Sequence, residues 1–426
     1  MSITLSHSNG ILNGEIHLTS SKSESNRALI IQALCDDDFE IQNLSNSDDT
    51  VVLQQLLNSS KKEWSVGLAG TAMRFLTAYL AIQDEEVVLT GAQRMKERPI
   101  KVLVDVLKEL GAEISYEENE GYPPLKIIGK QLSGGKVFID GSVSSQYVSA
   151  LLMIAPKLDD GLVIEFEGEI ISKPYINMTI EMMRYFGAEV CWEENAIVVK
   201  SGNYIAKDFK VEADWSAASY WYSMVALAKE ADITLFGLKK ESLQGDAVVQ
   251  EIYKKLGVKT EIVEGGIRLT KRCHTERSRS VVEVSELKIN FVDCPDVAQT
   301  VAVTCAALNV KAKLTGLKTL RIKETDRISA LQTELTKLGF SVEVEKDDIL
   351  INSLPGTKQS CASESEFASL QGGSLAMTNI KTYDDHRMAM AFAPLSLLTE
   401  ITIEDENVVG KSYPNFWKDL ENLDFV

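Results

Sequence analysis

The sequence predicts an α/β chain of two domains, each made of three similar units around buried helices. Three observations predict it. At 426 residues the chain exceeds what one ordinary hydrophobic core holds. Four segments then repeat one pattern of amphipathic helix, glycine and strand: Leu103 to Ile114, Met182 to Val190, Lys254 to Val258 and Leu335 to Val342. Their glycines, Gly111, Gly187, Gly257 and Gly339, lie 76, 70 and 82 residues apart, close to one period. Finally, each of these helices follows a more apolar one with a polar or glycine-rich start. Such starts fall near Lys22, Gly70, Ser144, Asp214, Asp296 and Asp384, which makes six units, three per domain.

Each glycine of the repeat reads as the left-handed residue that stops a helix. The more apolar helices, such as Tyr147 to Ala155, lack a polar face and are expected beneath sheets. If these buried helices run in parallel, their free N–H groups and positive dipole ends emerge together and make an anion site. The alternative is that Ser, Thr and Asp at the starts are only N-caps. Two stretches interrupt the pattern and read as insertions: 271–282, whose basic residues suggest a solvated hairpin tip, and 354–377, a long Ser/Gly/Ala-rich loop.

Composition narrows the function. With 62 Asp+Glu against 44 Lys+Arg the formal charge is −18, which argues against nucleic acid and against an anionic membrane surface. No run of eighteen apolar residues is present and no basic, then apolar leader opens the sequence. Six scattered cysteines without a C-x-x-C pair suit core filling in a reducing cytoplasm, and no metal site or cofactor is expected.

Within this acidic chain the distinctive segments are nonetheless cationic: Ser21 to Arg27, Arg94 to Pro99, Lys323 to Arg327 and Asp384 to Arg387. A protein that repels anions at long range must concentrate positive charge locally to bind one, so a small, highly charged ligand is expected. Pro99 suits a first helical turn, which puts Arg98 at an N-cap, where a cation is unfavourable unless an anion joins it. Ser172-Lys173-Pro174-Tyr175 repeats that arrangement with hydroxyls. Lys323 and Arg327, four apart, read as one face of the helix ending at Gly339; on pattern alone they form an exposed ion-pair ladder. The histidines (His7, His17, His274, His386) form no nucleophilic triad, and His7 and His17 read as surface strand residues. No phosphate-binding glycine loop of the nucleotide type is present.

Taken in order, these motifs resemble the 5-enolpyruvylshikimate-3-phosphate synthase family of enolpyruvyl transferases. The resemblance runs from Leu18 to Pro414. It rests on Ser21-Lys22-Ser23 to Arg27, Ala69-Gly70-Thr71-Ala72-Met73-Arg74, Arg94 to Pro99 and Gly141 to Gln146. Ser172 to Tyr175, Pro295-Asp296, Lys323 to Arg327 and Tyr383 to Met390 complete the set. It implies a two-domain inside-out α/β barrel, each domain three βαβαββ repeats around buried parallel helices. Residues 21–211 would form one domain and 1–20 with 212–426 the other, the chain crossing twice, with substrate drawing a cleft closed. The implied partners are small anionic substrates, with no nucleic acid or membrane; the implied state is a monomer.

The resemblance also assigns residues. Lys22, Gly70, Arg98, Gln146, Arg327, Arg387 and Lys411 match positions around phosphoenolpyruvate. Lys22, Ser23, Arg27, Ser144, Ser145, Ser172, Tyr175, Asp296 and Lys323 match positions around shikimate 3-phosphate. Asp296 and Glu324 match carboxylates of proton transfer, and Lys22 a charge stabiliser and proton donor. Seven cations less two carboxylates leave +5, against about −5 to −6 on the two substrates. Leu68 and Thr319 depart from the asparagines common in the family. The implied chemistry is addition of the 5-hydroxyl to phosphoenolpyruvate, then elimination of phosphate, with glyphosate competing for the phosphoenolpyruvate pocket. The alternatives are UDP-N-acetylglucosamine enolpyruvyl transfer, though Ser23 follows Lys22 and no cysteine lies between Cys35 and Cys191, and a non-catalytic anion-binding homologue.

Overall fold

The structure, a computed structural model, describes residues 1–271, 286–353 and 378–426. Of the stretch 271–282 only Lys271 is described, closing the strand Gly266–Lys271, and 354–377 lies outside the described residues, as do Cys273, His274 and Cys361. The chain divides into two compact units: Ser20–Glu212, and Met1–Thr19 with Ala213–Val426. Each has its own hydrophobic core. The mixed α/β architecture is the inside-out barrel expected, helices within and sheets without.

One topology recurs four times. In Ser20–Glu212, Glu63–Ser65 pairs in parallel with Glu86–Thr90, which pairs antiparallel with Leu125–Ile128, then Glu113–Tyr116. Gly135–Asp140, Leu162–Glu167, Ala196–Val199 and Val190–Glu193 repeat that order. In the other unit it is repeated by Ile11–His17, Glu230–Phe236, Gly266–Lys271 and Lys259–Val263. Leu287–Asn290, Ala312–Thr315, Asp348–Asn352 and Ser341–Glu345 make the fourth copy. A third, smaller sheet completes each unit: Ile41–Gln42 with Phe209–Lys210, and Ser2–Leu5, Ile401–Glu404 and Thr378–Ile380.

The order follows from the residues. Strands such as Glu230–Phe236 alternate exposed and buried positions, so only one face seeks cover. The helices supply it: all thirteen residues of Trp215–Leu227 and all ten of Ala298–Ala307 are buried. A helix apolar all round has no solvent face to offer and stays inside. Hydroxyls register the two: Ser219 meets Thr300 at 3.2 Å and Ser223 meets Thr304 at 2.7 Å. A step of four residues in the same direction on both helices means that they run parallel. At the repeat glycines φ is +99°, +87°, +89° and +84°, the left-handed stop read from the sequence.

The six apolar helices begin where the sequence places them: Lys22–Leu34, Gly70–Ala81, Ser145–Ile154, Trp215–Leu227, Ala298–Ala307 after a short 3-10 turn from Pro295, and His386–Phe392. Three local expectations need correction. Lys323 to Asp326 are not helical: the Asp326 carboxylate accepts from the Ile328 and Ser329 N–H groups at 3.1 Å each, so the helix starts at Arg327. Pro99 lies outside its helix, Lys101–Glu109, with Ile100 at the N-cap, because its carbonyl is taken by Tyr147 and Arg74 at 2.5 and 3.3 Å. His7 is buried, not superficial: its ring bonds Leu423 O and accepts from Gly10 N–H, both at 3.0 Å.

Candidate active site

Most of the candidate residues lie at or just before helix starts, and each unit builds its own cluster. In Ser20–Glu212, Lys22 is the first residue of its helix and its ammonium lies 3.1 Å from Asp49 Oδ2, both largely buried. One turn on, Arg27 is 2 % exposed. Its Nε donates to Thr179 Oγ1 at 2.7 Å and its Nη1 to Ser23 O at 2.9 Å. Nη2 donates to Ser149 Oγ and Tyr175 O, each at 3.2 Å. Burial pushes this guanidinium down to about 10, with Tyr175 and Glu24 opposing the shift.

Gly70 opens the next apolar helix because the Arg98 side chain needs the space: a Cβ there would stand 2.6 Å from Arg98 Nη1. Arg74 folds back along the same helix to Gly70 O at 3.0 Å. Its other Nη reaches Pro99 O, so two cations and the 98–100 segment are fastened together. Gln146 Nε2 donates to Thr71 Oγ1 at 3.2 Å, which places the starts of two apolar helices side by side. Ser144 caps one of them by accepting from Gln146 N–H, and Ser145 beside it is buried. Ser172, buried and left-handed at φ +54°, turns the chain into the helix Lys173–Tyr185. Tyr175 is half-buried at the first turn of that helix.

The other unit assembles a denser network. Arg327, 2 % exposed, donates from Nε to Asp385 Oδ2 at 2.7 Å and from Nη2 to Asp385 Oδ1 at 3.2 Å. It also reaches Asp296 Oδ1 at 3.3 Å and Glu324 Oε2 at 3.0 Å. Arg387 donates to Asp296 Oδ2 at 2.8 Å, Tyr220 Oη at 3.3 Å and Ser216 Oγ at 3.4 Å. Lys323 stands 3.5 Å from Asp296 and Lys411 2.6 Å from Glu324. Asp296 thus faces three cations, and Glu324 bridges two.

Burial alone would lower both arginines, but the carboxylates overcome it. Arg327 is held above its ordinary value by Asp385, then Glu324 and Asp296, and Arg387 by Asp296. Lys323 moves down, because burial outweighs Asp296. Behind Arg387 the buried Asp246 accepts from Ser216 Oγ. Its carboxyl is pushed up to about 6 by burial, then by Asp296.

Sequence reasoning found the cations and missed what orients them. Asp49, Arg74, Ser149, Thr179, Ser216, Tyr220, Asp246 and Asp385 all touch site residues in this structure. Arg74 and Asp385 lay inside the motifs quoted above, and their nearness to a cationic motif was a usable signal. Of the departures, Leu68 is exposed and Thr319 Oγ1 is buried with no hydrogen-bond partner among the described residues. The arrangement is suited to gripping anions and to moving protons: guanidiniums and ammoniums fixed in place, with carboxylates between them.

Known proteins resemble the chain over nearly its full length. A family model described as EPSP synthase (3-phosphoshikimate 1-carboxyvinyltransferase) matches residues 7–61 and 52–420. The 3-phosphoshikimate 1-carboxyvinyltransferase of Bacteroides fragilis strain YCH46 is 48% identical over 412 residues, covering 96% of this chain and 95% of that protein. That of Mannheimia haemolytica is 38% identical over 447 residues, covering 96% of each. A solved EPSP synthase from Acinetobacter baumannii shares the fold, with a TM-score of 0.76 at 22% identity over 99% of this chain and 98% of that one.

Proposed function

The chain belongs to the EPSP synthase (3-phosphoshikimate 1-carboxyvinyltransferase) family, and on that premise we propose how its residues share the work. The reaction is that of the family: the enolpyruvyl group of phosphoenolpyruvate passes to the 5-hydroxyl of shikimate 3-phosphate and phosphate leaves. The name shared by the curated relatives favours this acceptor over UDP-N-acetylglucosamine. The observation that carries the assignment of roles is the pair of carboxylates, Asp296 and Glu324, set among Lys323, Arg327, Arg387 and Lys411.

In this reading Lys22, Gly70, Arg98, Gln146, Arg327, Arg387 and Lys411 receive phosphoenolpyruvate. Lys22, Ser23, Arg27, Ser144, Ser145, Ser172, Tyr175, Asp296 and Lys323 receive shikimate 3-phosphate. Asp296 orients the 5-hydroxyl or takes its proton as the oxygen adds to C2 of phosphoenolpyruvate, and that proton leaves with the departing phosphate. Glu324 delivers a proton to the methylene carbon in that step, giving a tetrahedral ketal phosphate. It then removes a proton from the new methyl group as the C2–O bond to phosphate breaks, which restores the double bond. Lys22 stabilises charge on the transferring group and can supply a proton to it.

Adjacent cations favour the charged form of a carboxylate. The negative charge that both substrates bring to Lys323, Arg327, Arg387 and Lys411 offsets that, and so lets Asp296 and Glu324 take up a proton in the loaded site. Glyphosate is expected to compete with phosphoenolpyruvate. A monomer acting in the cytoplasm completes the proposal; among the described residues no helix is long and apolar enough to cross a membrane. Release of phosphate from phosphoenolpyruvate plus shikimate 3-phosphate is the deciding assay. Release seen only with UDP-N-acetylglucosamine would overturn the choice of acceptor.

A further inference from the structure

One buried carboxylate outside every role above grips the turn that leads to Arg387. Glu334 lies seven residues after Arg327 on the helix Arg327–Lys337 and is 1 % exposed. Its Oε1 accepts from the Tyr383 phenol at 2.8 Å. Its Oε2 accepts from the Lys381 N–H at 3.3 Å and pairs with the Lys337 ammonium. The phenol is a firm donor, since burial and then Glu334 itself push it up to about 12.

The turn held in this way is strained. Tyr383 and Asp384 are consecutive non-glycine residues in the left-handed region, each at φ +56°. Side chains with a Cβ rarely adopt that conformation, and it persists where surrounding contacts enforce it. A single turn hydrogen bond, Asp385 N–H to Thr382 O at 3.0 Å, closes it. Immediately after it come Asp385, which Arg327 grips, and Arg387, which reaches Asp296. One helix therefore fastens the turn at two places: at its first residue through Asp385, and two turns later through Lys381 and Tyr383.

We propose that Glu334 is a positioning residue that holds the strained 381–385 turn in place, and so sets the Arg387 guanidinium for the phosphoenolpyruvate carboxylate or phosphate. The phosphoenolpyruvate part rests on the role given to Arg387 above. Glu334 itself touches neither substrate nor a reacting atom. Its loss loosens Arg387 directly and reaches the shikimate 3-phosphate residues only at second hand, through the Arg387–Asp296 pair.

Steady-state kinetics with both substrates varied test this. Glu334→Ala is expected to raise the phosphoenolpyruvate KM by about tenfold, the size of a lost hydrogen bond to a charged group, with the shikimate 3-phosphate KM raised much less. Glu334→Gln keeps one acceptor and falls between, and Tyr383→Phe shifts the same constant less. A folded Glu334→Ala enzyme with unaltered phosphoenolpyruvate KM, or with both constants raised alike, overturns the proposal. Should that variant not fold, Tyr383→Phe decides by the same criterion. Hydrogen exchange gives a readout independent of activity: amides 382–388 exchange faster in the Glu334 variants, and unchanged exchange overturns the positioning role. If the wild-type chain releases no phosphate from the two substrates, the functional reading fails while exchange still decides the positioning.

Discussion

Two arginines, Arg27 inside an apolar helix of one unit and Arg327 at the start of a helix of the other, are equally buried, each 2 % exposed, yet they are held by opposite means. Arg27 leans on hydroxyls and carbonyls, those of Thr179, Ser149, Ser23 and Tyr175. Among the described residues Arg327 leans on carboxylates, those of Asp385, Asp296 and Glu324. The first has its pKa pushed down to about 10, while the second has it raised. Neutral partners fix a guanidinium without cancelling its charge, so that charge remains for an incoming phosphate. Carboxylate partners fix it as firmly and offset part of its charge, which makes the second cluster the candidate proton relay. Arg27 is held by neutral groups; Arg327 is held by acids.

The contrast can be broken from either side. The largest effect is expected at the relay: Glu324→Gln should lower kcat by about a hundredfold or more, the usual share of general acid–base catalysis, with shikimate 3-phosphate still bound. Near-normal turnover in rapid-quench assays would refute its proton-transfer role. Next comes Arg27→Met, which keeps the volume and removes the charge. The shikimate 3-phosphate KM should rise by roughly tenfold to a hundredfold, one or two charge-assisted hydrogen bonds. A change confined to phosphoenolpyruvate would mean that Arg27 serves the other ligand.

Gly70→Ala follows, since its Cβ at 2.6 Å must displace Arg98. A phosphoenolpyruvate KM raised by about tenfold is expected, below the hundredfold that an ångström of misplacement can cost a catalytic group. Inhibition by glyphosate should weaken in parallel, and titration with both compounds checks it. The smallest effect concerns stability. Asp246, at about 6 against an ordinary 3.8, is protonated when folded and ionised when unfolded between those values. Folding then takes up a proton, so stability falls as pH rises through that window and levels off above it. The total is at most about 3 kcal/mol. Urea unfolding across the window should show this slope in the wild type and a flatter profile in Asp246→Asn.

The sequence carried the repeat plainly because a helix stop leaves a local mark. Gly111, Gly187, Gly257 and Gly339 each sit where the backbone turns left-handed, and no distant residue is needed to read them. Helix starts at Lys22, Gly70 and Ser144 were legible for the same reason. The start at Arg327 was misread because Lys323 and Arg327 have helical spacing, whereas capping by Asp326 is a matter of backbone geometry. His7 was misplaced because its burial depends on Leu423, at the far end of the sequence. Asp246, Asp49 and Glu334 carry no motif at all: what makes each matter is a partner brought near only by folding.

The unit that holds the relay also joins distant parts of the chain. Ser2–Leu5 pairs with Ile401–Glu404, Ile11–His17 with Glu230–Phe236, and Ser6 exchanges backbone hydrogen bonds with Val426. Residues Ser20–Glu212 can complete their contacts once they have left the ribosome. The first strands instead wait, unpaired, for the last ones to be synthesised, and unpaired strand edges invite misassociation. During synthesis the cluster around Arg27 is therefore in place before the network of Arg327, Arg387, Asp296 and Glu324.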